Sequence, residues 1–152
     1  MQTRRKALTQ GLAAAGMLGS GALFTAPAYA FNKTAFDAKT IPEALRALGA
    51  TGSLIESKDV TIQGPEIAEN GAVVPMVVGT TLPGIKALAL LVEKNPNALI
   101  AVFHLNENLE PTFSTRAKMA QSSDVLAVAI ANDGKTYYAK KDIKVTLGGC
   151  GG

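Results

Sequence analysis

Apolar and polar positions follow two rhythms along this chain. After Thr40, the residues Pro42, Glu43, Ala44, Leu45 and Leu48 run up to Gly49. Thr40 supplies a helix cap, Pro42 and Glu43 suit a first turn, and Gly49 suits a stop, so this spacing predicts one short N-terminal helix. Beyond Gly49 the pattern changes to short runs of β-formers broken by turn residues. Val60-Thr61-Ile62 stops at Gly64-Pro65. Glu66 to Glu69 meets Asn70-Gly71 and is followed by Val73 to Gly79, which predicts a hairpin across Asn-Gly. Ile85 to Glu93 fits helix or strand by composition, and its length and the Asn95-Pro96-Asn97 turn favour a strand. Leu99 to Leu105, Thr112 to Met119 and Val125 to Ala131 continue the series. Asp133-Gly134 turns the chain into Thr136 to Ala139, and Ile143 to Leu147 is a last strand.

Seven to nine short strands at this spacing predict an all-β chain, an immunoglobulin-like antiparallel β-sandwich with a short N-terminal helix. The lack of βαβ alternation argues against a parallel sheet. Val73, Val77, Leu88, Leu90 and Leu99 are candidates either for the core or for an apolar sandwich face that a partner covers.

The first thirty residues have a different character. Arg4, Arg5 and Lys6 are followed by an Ala/Gly/Leu stretch from Gly11 to Ala26 and then by Ala28-Tyr29-Ala30. Charged, apolar and small-residue regions in that order read as a secretory signal, residues 1–30, cleaved between Ala30 and Phe31. The Arg4-Arg5 pair and the glycine-diluted apolar region resemble a twin-arginine signal, which exports folded protein. The stretch is too short and glycine-rich for an anchor across about 30 Å of hydrocarbon. A mature domain over residues 31–147 is therefore expected, with no second apolar run of about 18 residues.

Charge refines this picture. The 152 residues carry 15 Lys and Arg against 12 Asp and Glu, a formal charge of +3. All three charges of residues 1–30 are basic, so the remainder is neutral. A nucleic-acid binder needs a surplus of cations to displace counterions from phosphates, and that surplus is missing. Hydrophobic residues at 47% exclude a disordered chain.

Chemistry gathers at residues 148–152. Cys150 is the single cysteine, held in Gly148-Gly149-Cys150-Gly151-Gly152. Glycine gives the least fixed backbone and no apolar shell for a sulfur. The pattern predicts an exposed thiol on a thin, flexible arm, and residues 148–150 would reach roughly 10 Å from the domain if extended. A frayed tail is the bland alternative. An exposed lone thiol is a liability in an oxidising compartment, which favours a function for it. One cysteine forms no internal disulfide and no Cys-x-x-Cys redox pair.

Other candidates are weaker. His104 is the single histidine and follows Phe103 on an apolar run. A copper site from His104, Cys150 and a methionine has poor geometry. Asp133, Lys135, Lys140 and Lys141 read as solvated. No carboxylate pair suggests acid–base catalysis, and no cofactor or metal is expected.

The terminal Gly-Gly-Cys-Gly-Gly resembles the signature of SoxY, the sulfur-carrier subunit of the periplasmic Sox thiosulfate-oxidation system. Val145-Thr146-Leu147 before it is similar to that family's ending, as are the twin-arginine-like start, Val74-Pro75-Met76-Val77, and Lys94-Asn95-Pro96 ahead of Ala98 to Phe103. The resemblance implies a periplasmic carrier with no turnover of its own, paired with a second small β-sandwich protein, SoxZ. It implies that Cys150 bears the sulfur intermediate and that Gly148, Gly149, Gly151 and Gly152 form a swinging arm. It also implies three enzymes that act on the loaded carrier: the haem enzyme SoxAX, the di-manganese hydrolase SoxB and, in some organisms, the sulfane dehydrogenase SoxCD. The residues by themselves leave two other readings open. One is an exported binding module whose cysteine links subunits by a disulfide, and the other is a periplasmic copper or redox protein.

Overall fold

Two helices open the described part of the chain, each fixed by a side-chain cap. The computed structural model describes residues 31–148. In α1 (Lys33–Asp37) the Asn32 side chain accepts the Ala35 N–H at 3.0 Å. In α2 (Ile41–Ala47) Thr40 and Glu43 form a capping box, each side chain accepting the other's backbone N–H. Gly49, at φ 82°, ends α2 in the left-handed region that glycine enters without strain. The sequence pattern predicted α2 and its stop; α1, one turn long, was too short to carry a period.

Nine strands follow: β1 (Leu54–Glu56), β2 (Val60–Gln63), β3 (Ile67–Ala68), β4 (Val74–Thr80), β5 (Ile85–Val92), β6 (Leu99–His104), β7 (Thr112–Ala117), β8 (Ser123–Ala131) and β9 (Thr136–Val145). They form a β-sandwich. The larger sheet runs β1-β9-β8-β5-β6, with β3 also on β9, and the smaller runs β2-β4-β7.

The apolar runs of β5 and β8 explain the layering. Residues Ala87 to Val92 and Val125 to Ile130 are buried without a break, so both faces of the central strands are covered. Leu88, Leu90, Val92, Val125 and Ala127 pack against Val74, Met76 and Val78 of the small sheet. On the opposite face, Ala89, Leu91, Leu126 and Val128 pack under Ala35, Ile41, Ala44 and Leu45 of the helices. Each fully buried leucine here contributes about 1.5–3 kcal/mol relative to an exposed one. The candidates left open between core and partner face are now divided. Leu88, Leu90 and Leu99 are core, Val77 is half-buried and Val73 is exposed.

Three expectations need correction. The Asn70-Gly71 hairpin is absent: β3 pairs in parallel with β9, and β4 pairs with β2 and β7. Neither Asn70 nor Gly71 has positive φ, which a two-residue Asn-Gly turn of this type requires. Instead the Asn70 side chain accepts the Ala72 N–H at 2.8 Å and the chain passes between sheets. Thr136 to Ala139 and Ile143 onward are one continuous strand, β9, which runs through Lys140 and Asp142 on an exposed face and ends at Val145, two residues short of Leu147. The sandwich is also not purely antiparallel. β1 and β3 run parallel to β9, pairing with Thr136–Tyr138 and Lys144–Val145. They cover parts of an edge that would otherwise present unpaired backbone groups.

Among the described residues no helix is long and apolar enough to cross a membrane.

Candidate functional site: the root of the C-terminal arm

The end of β9 is held on both sides before the glycines begin. Val145 N–H donates to Ser122 Oγ at 2.9 Å. Thr146 N–H donates to the Ala68 carbonyl at 3.0 Å, and the Thr146 hydroxyl to the Glu69 carbonyl at 3.1 Å. Gly71 N–H donates to the Leu147 carbonyl at 2.7 Å, while the Gly71 carbonyl accepts the Met119 N–H at 2.7 Å. The buried Gly71 thus ties the chain end to the loop after β7. These bonds reach Val145, Thr146 and Leu147 from two sides, β3 with its β3–β4 loop and the β7–β8 loop.

Gly148 is packed against the second of these loops. A Cβ built there would lie 2.5 Å from the Ala120 carbonyl oxygen, closer than side chains approach a backbone. The loop itself is propped by Asn95 in the β5–β6 turn. The Asn95 side chain donates to the Lys118 carbonyl at 2.6 Å and accepts the Ala120 N–H at 2.9 Å. A chain of contacts therefore runs from Asn95 through Ala120 to Gly148.

The sequence accounts for Gly148 by the free backbone and thinness of glycine in an arm. The structure adds a separate reason for glycine there, the Ala120 carbonyl. It also brings in residues that sequence reading passed over. In the sequence Asn95 marks only a turn and Gly71 only half of an expected hairpin, and Ser122 carries no signal. Asn95-Pro96-Asn97 and Asn70-Gly71 are the visible turn signals, but the partners of such side chains lie far off in sequence.

Gly149, Cys150, Gly151 and Gly152 lie outside the described residues, as do Arg4, Arg5 and Ala30 with the rest of residues 1–30. His104 ends β6, paired with Ala87 across the sheet. Among the described residues no three His, Cys, Asp or Glu side chains gather into a group that could hold a metal.

The resolved electrostatic shifts lie elsewhere. At the β8–β9 turn the Lys135 amide and ammonium hold the Asp133 carboxyl below its ordinary range, and Asp133 in turn raises Lys135. Asp124 likewise raises Lys140, 2.9 Å away. These are exposed pairs, worth little to stability. A surface cavity of about 370 Å³ between α2 and β1, lined by Pro42, Leu45, Arg46 and Leu54, is also remote in the chain from the arm.

A two-sheet sandwich with helices on one face, its chain bonded to two loops from the end of β9 as far as Leu147, defines a small β-sandwich domain. The family model of the sulfur oxidation protein SoxY matches residues 45–150. The chain belongs to the SoxY family. It is similar to the sulfur carrier protein SoxY from Chlorobium limicola f thiosulfatophilum, with 33% identity and a TM-score of 0.64 over 71% of this chain and 97% of that one. It also resembles a superoxide reductase (neelaredoxin) from Ignicoccus hospitalis, at 18% identity and a TM-score of 0.50 over 57% of this chain and 79% of that one. That second likeness is one of fold alone. Comparison with curated proteins gives no match. Family and fold together support a carrier role in sulfur oxidation, within the multi-protein Sox system.

Proposed function

We propose that this chain is an exported covalent carrier that holds thiosulfate-derived sulfur on Cys150 and presents it to partner enzymes. The support is its place in the SoxY family, together with a lone thiol two residues beyond an anchored root. Residues 1–30 act as a twin-arginine signal cleaved before Phe31, and the folded domain works in the periplasm beside a SoxZ-like β-sandwich partner.

The chemistry balances as follows. The Cys150 thiol and the outer sulfur of thiosulfate join in an S–S bond. The thiol proton and two electrons leave, the electrons passing to the haem enzyme SoxAX, and Cys150–S–S–SO₃⁻ remains. Water then attacks the sulfonate sulfur in SoxB, the terminal S–S bond breaks, and Cys150–S–SH and hydrogensulfate result. Where SoxCD is present, it takes six electrons from the persulfide, with three waters supplying oxygen and seven protons released, to give Cys150–S–SO₃⁻. A second hydrolysis returns the thiol and another hydrogensulfate. Each step needs the thiolate or its adduct to reach an enzyme pocket. A free thiol with a pKa of about 8.5 is mostly protonated at neutral pH. No cation stands beside Cys150 in sequence, so the receiving pocket activates it.

The test is Cys150→Ser in the producing organism. Thiosulfate-dependent sulfate formation should be lost while the purified variant melts as the wild type does. Retained sulfate formation would refute the proposal.

A further inference from the structure

Asn70-Gly71 is the single Asn-Gly pair of the chain, and it forms no hairpin. Glycine after asparagine leaves the side-chain amide open to attack by the next backbone nitrogen, because no Cβ shields that nitrogen and the backbone turns freely. The attack needs a polarised, accessible amide carbon and a nitrogen free to give up its proton. The first condition is met. Asn70 is exposed, and its Oδ1 accepts the Ala72 N–H at 2.8 Å. That bond turns the side chain forward along the main chain. It also stabilises negative charge developing on the oxygen when the amide carbon is attacked.

The second condition is withheld. Gly71 is buried, and its N–H donates to the Leu147 carbonyl at 2.7 Å. Losing that proton would forfeit the bond and set a negative nitrogen against a carbonyl oxygen, away from water. The Gly71 carbonyl accepts the Met119 N–H at 2.7 Å, so the residue is held on both sides. The pair is set for reaction on the asparagine side and locked on the glycine side. The lock is the segment that follows β9.

We infer that Asn70 is a deamidation site, locked while Gly71 is bonded to Leu147 and released when the end of β9 lets go. In the open chain the Gly71 nitrogen gives its proton to water and attacks Asn70 Cγ. The bond from Cγ to the side-chain nitrogen breaks, that nitrogen leaves as ammonia with the proton it needs, and a succinimide ring closes. Water then opens the ring at either carbonyl and leaves aspartate or isoaspartate at position 70. No electrons are exchanged: amide and water become carboxylate and ammonium. The isoaspartate product carries one more methylene in the main chain, which displaces Gly71 from Leu147 and Met119 and holds the lock open. The rate in the folded protein is therefore set by how often the chain end opens.

The experiment incubates the purified protein in mildly alkaline buffer for weeks, folded and in urea. Peptide mass spectrometry follows the conversion of Asn70 from amide to acid, and isoaspartate is measured in the same peptide. The folded wild type should react at least about tenfold more slowly than the chain in urea. Ser122→Ala/Thr146→Val removes the Val145 acceptor and the hydroxyl bond to Glu69. It should raise the folded rate at least about fivefold and leave the rate in urea unchanged. Ile130→Val, under the helices on the opposite face, weakens the whole fold by a similar amount and should stay within about twofold of the wild type. Should the double variant melt early, Thr146→Val alone carries the test, with a rise of at least about twofold expected. A folded rate equal to that in urea, an unchanged rate in the chain-end variants, or an equal rise in Ile130→Val would each overturn the lock.

Discussion

Gly148 lies against Ala120 so closely that a methyl group on its Cα would fall 2.5 Å from the Ala120 carbonyl oxygen. Gly148→Ala must therefore push the β7–β8 loop or the chain end aside, at a cost of about 1–3 kcal/mol. Gly52 is the matched control, with open space around the same added carbon and no positive φ. Gly52→Ala should stay within about 0.5 kcal/mol of the wild type or gain slightly. Urea denaturation of both variants measures the contrast, and equal stabilities would mean that the contact yields freely.

Asn95 supports the same contact from behind. Asn95→Ala removes bonds to Lys118 and Ala120 and leaves their backbone groups to water. The expected cost is about 1 kcal/mol, because Asn95 is half-buried and solvent replaces part of what is lost. Amide exchange should rise at Ala120 and Gly71 before it rises in β5 or β8. Uniform change across the sheets would show instead that Asn95 acts on the whole fold.

Much of this was legible beforehand, and the reasons differ by element. The helix at Ile41–Ala47 showed itself through local capping signals, and β5 and β8 through long apolar runs. Pairing between distant segments was not legible. Leu54–Glu56 and Ile67–Ala68 are too short to display a period, and their partner β9 lies some eighty residues on. The expectation for Cys150 rests on the glycines on both sides of it, and Cys150 lies outside the described residues. The grip on Leu147 and Gly148 was invisible, because it depends on which loops the sandwich brings together.

Asp133 gives a pH-dependent effect of known sign. Lys135 holds its folded-state pKa below the ordinary 3.8. The associated stability is present above that value and is lost as pH falls through the lowered folded value. Asp133→Asn should therefore be slightly less stable than the wild type at neutral pH, and the two should converge in strong acid. The gap should also close in high salt, since the pair is exposed. A gap that widens in acid would contradict this assignment.

Export is tested through Arg4 and Arg5. Replacing both by lysine should stop periplasmic accumulation through the folded-protein route and leave uncleaved protein inside. Sequencing of exported wild-type protein should begin at Phe31. Undiminished export of the double variant would indicate ordinary secretion.

The carrier account stands most directly on the chemical state of one sulfur. Protein purified from thiosulfate-grown cells without reductant is digested, and the peptide containing Cys150 is weighed. The account predicts a population of thiosulfonate, persulfide and sulfonate adducts on Cys150 that vanishes with dithiothreitol and is absent from cells grown without thiosulfate. A Cys150 found only as free thiol, or only as a Cys150–Cys150 disulfide, under thiosulfate oxidation would contradict it.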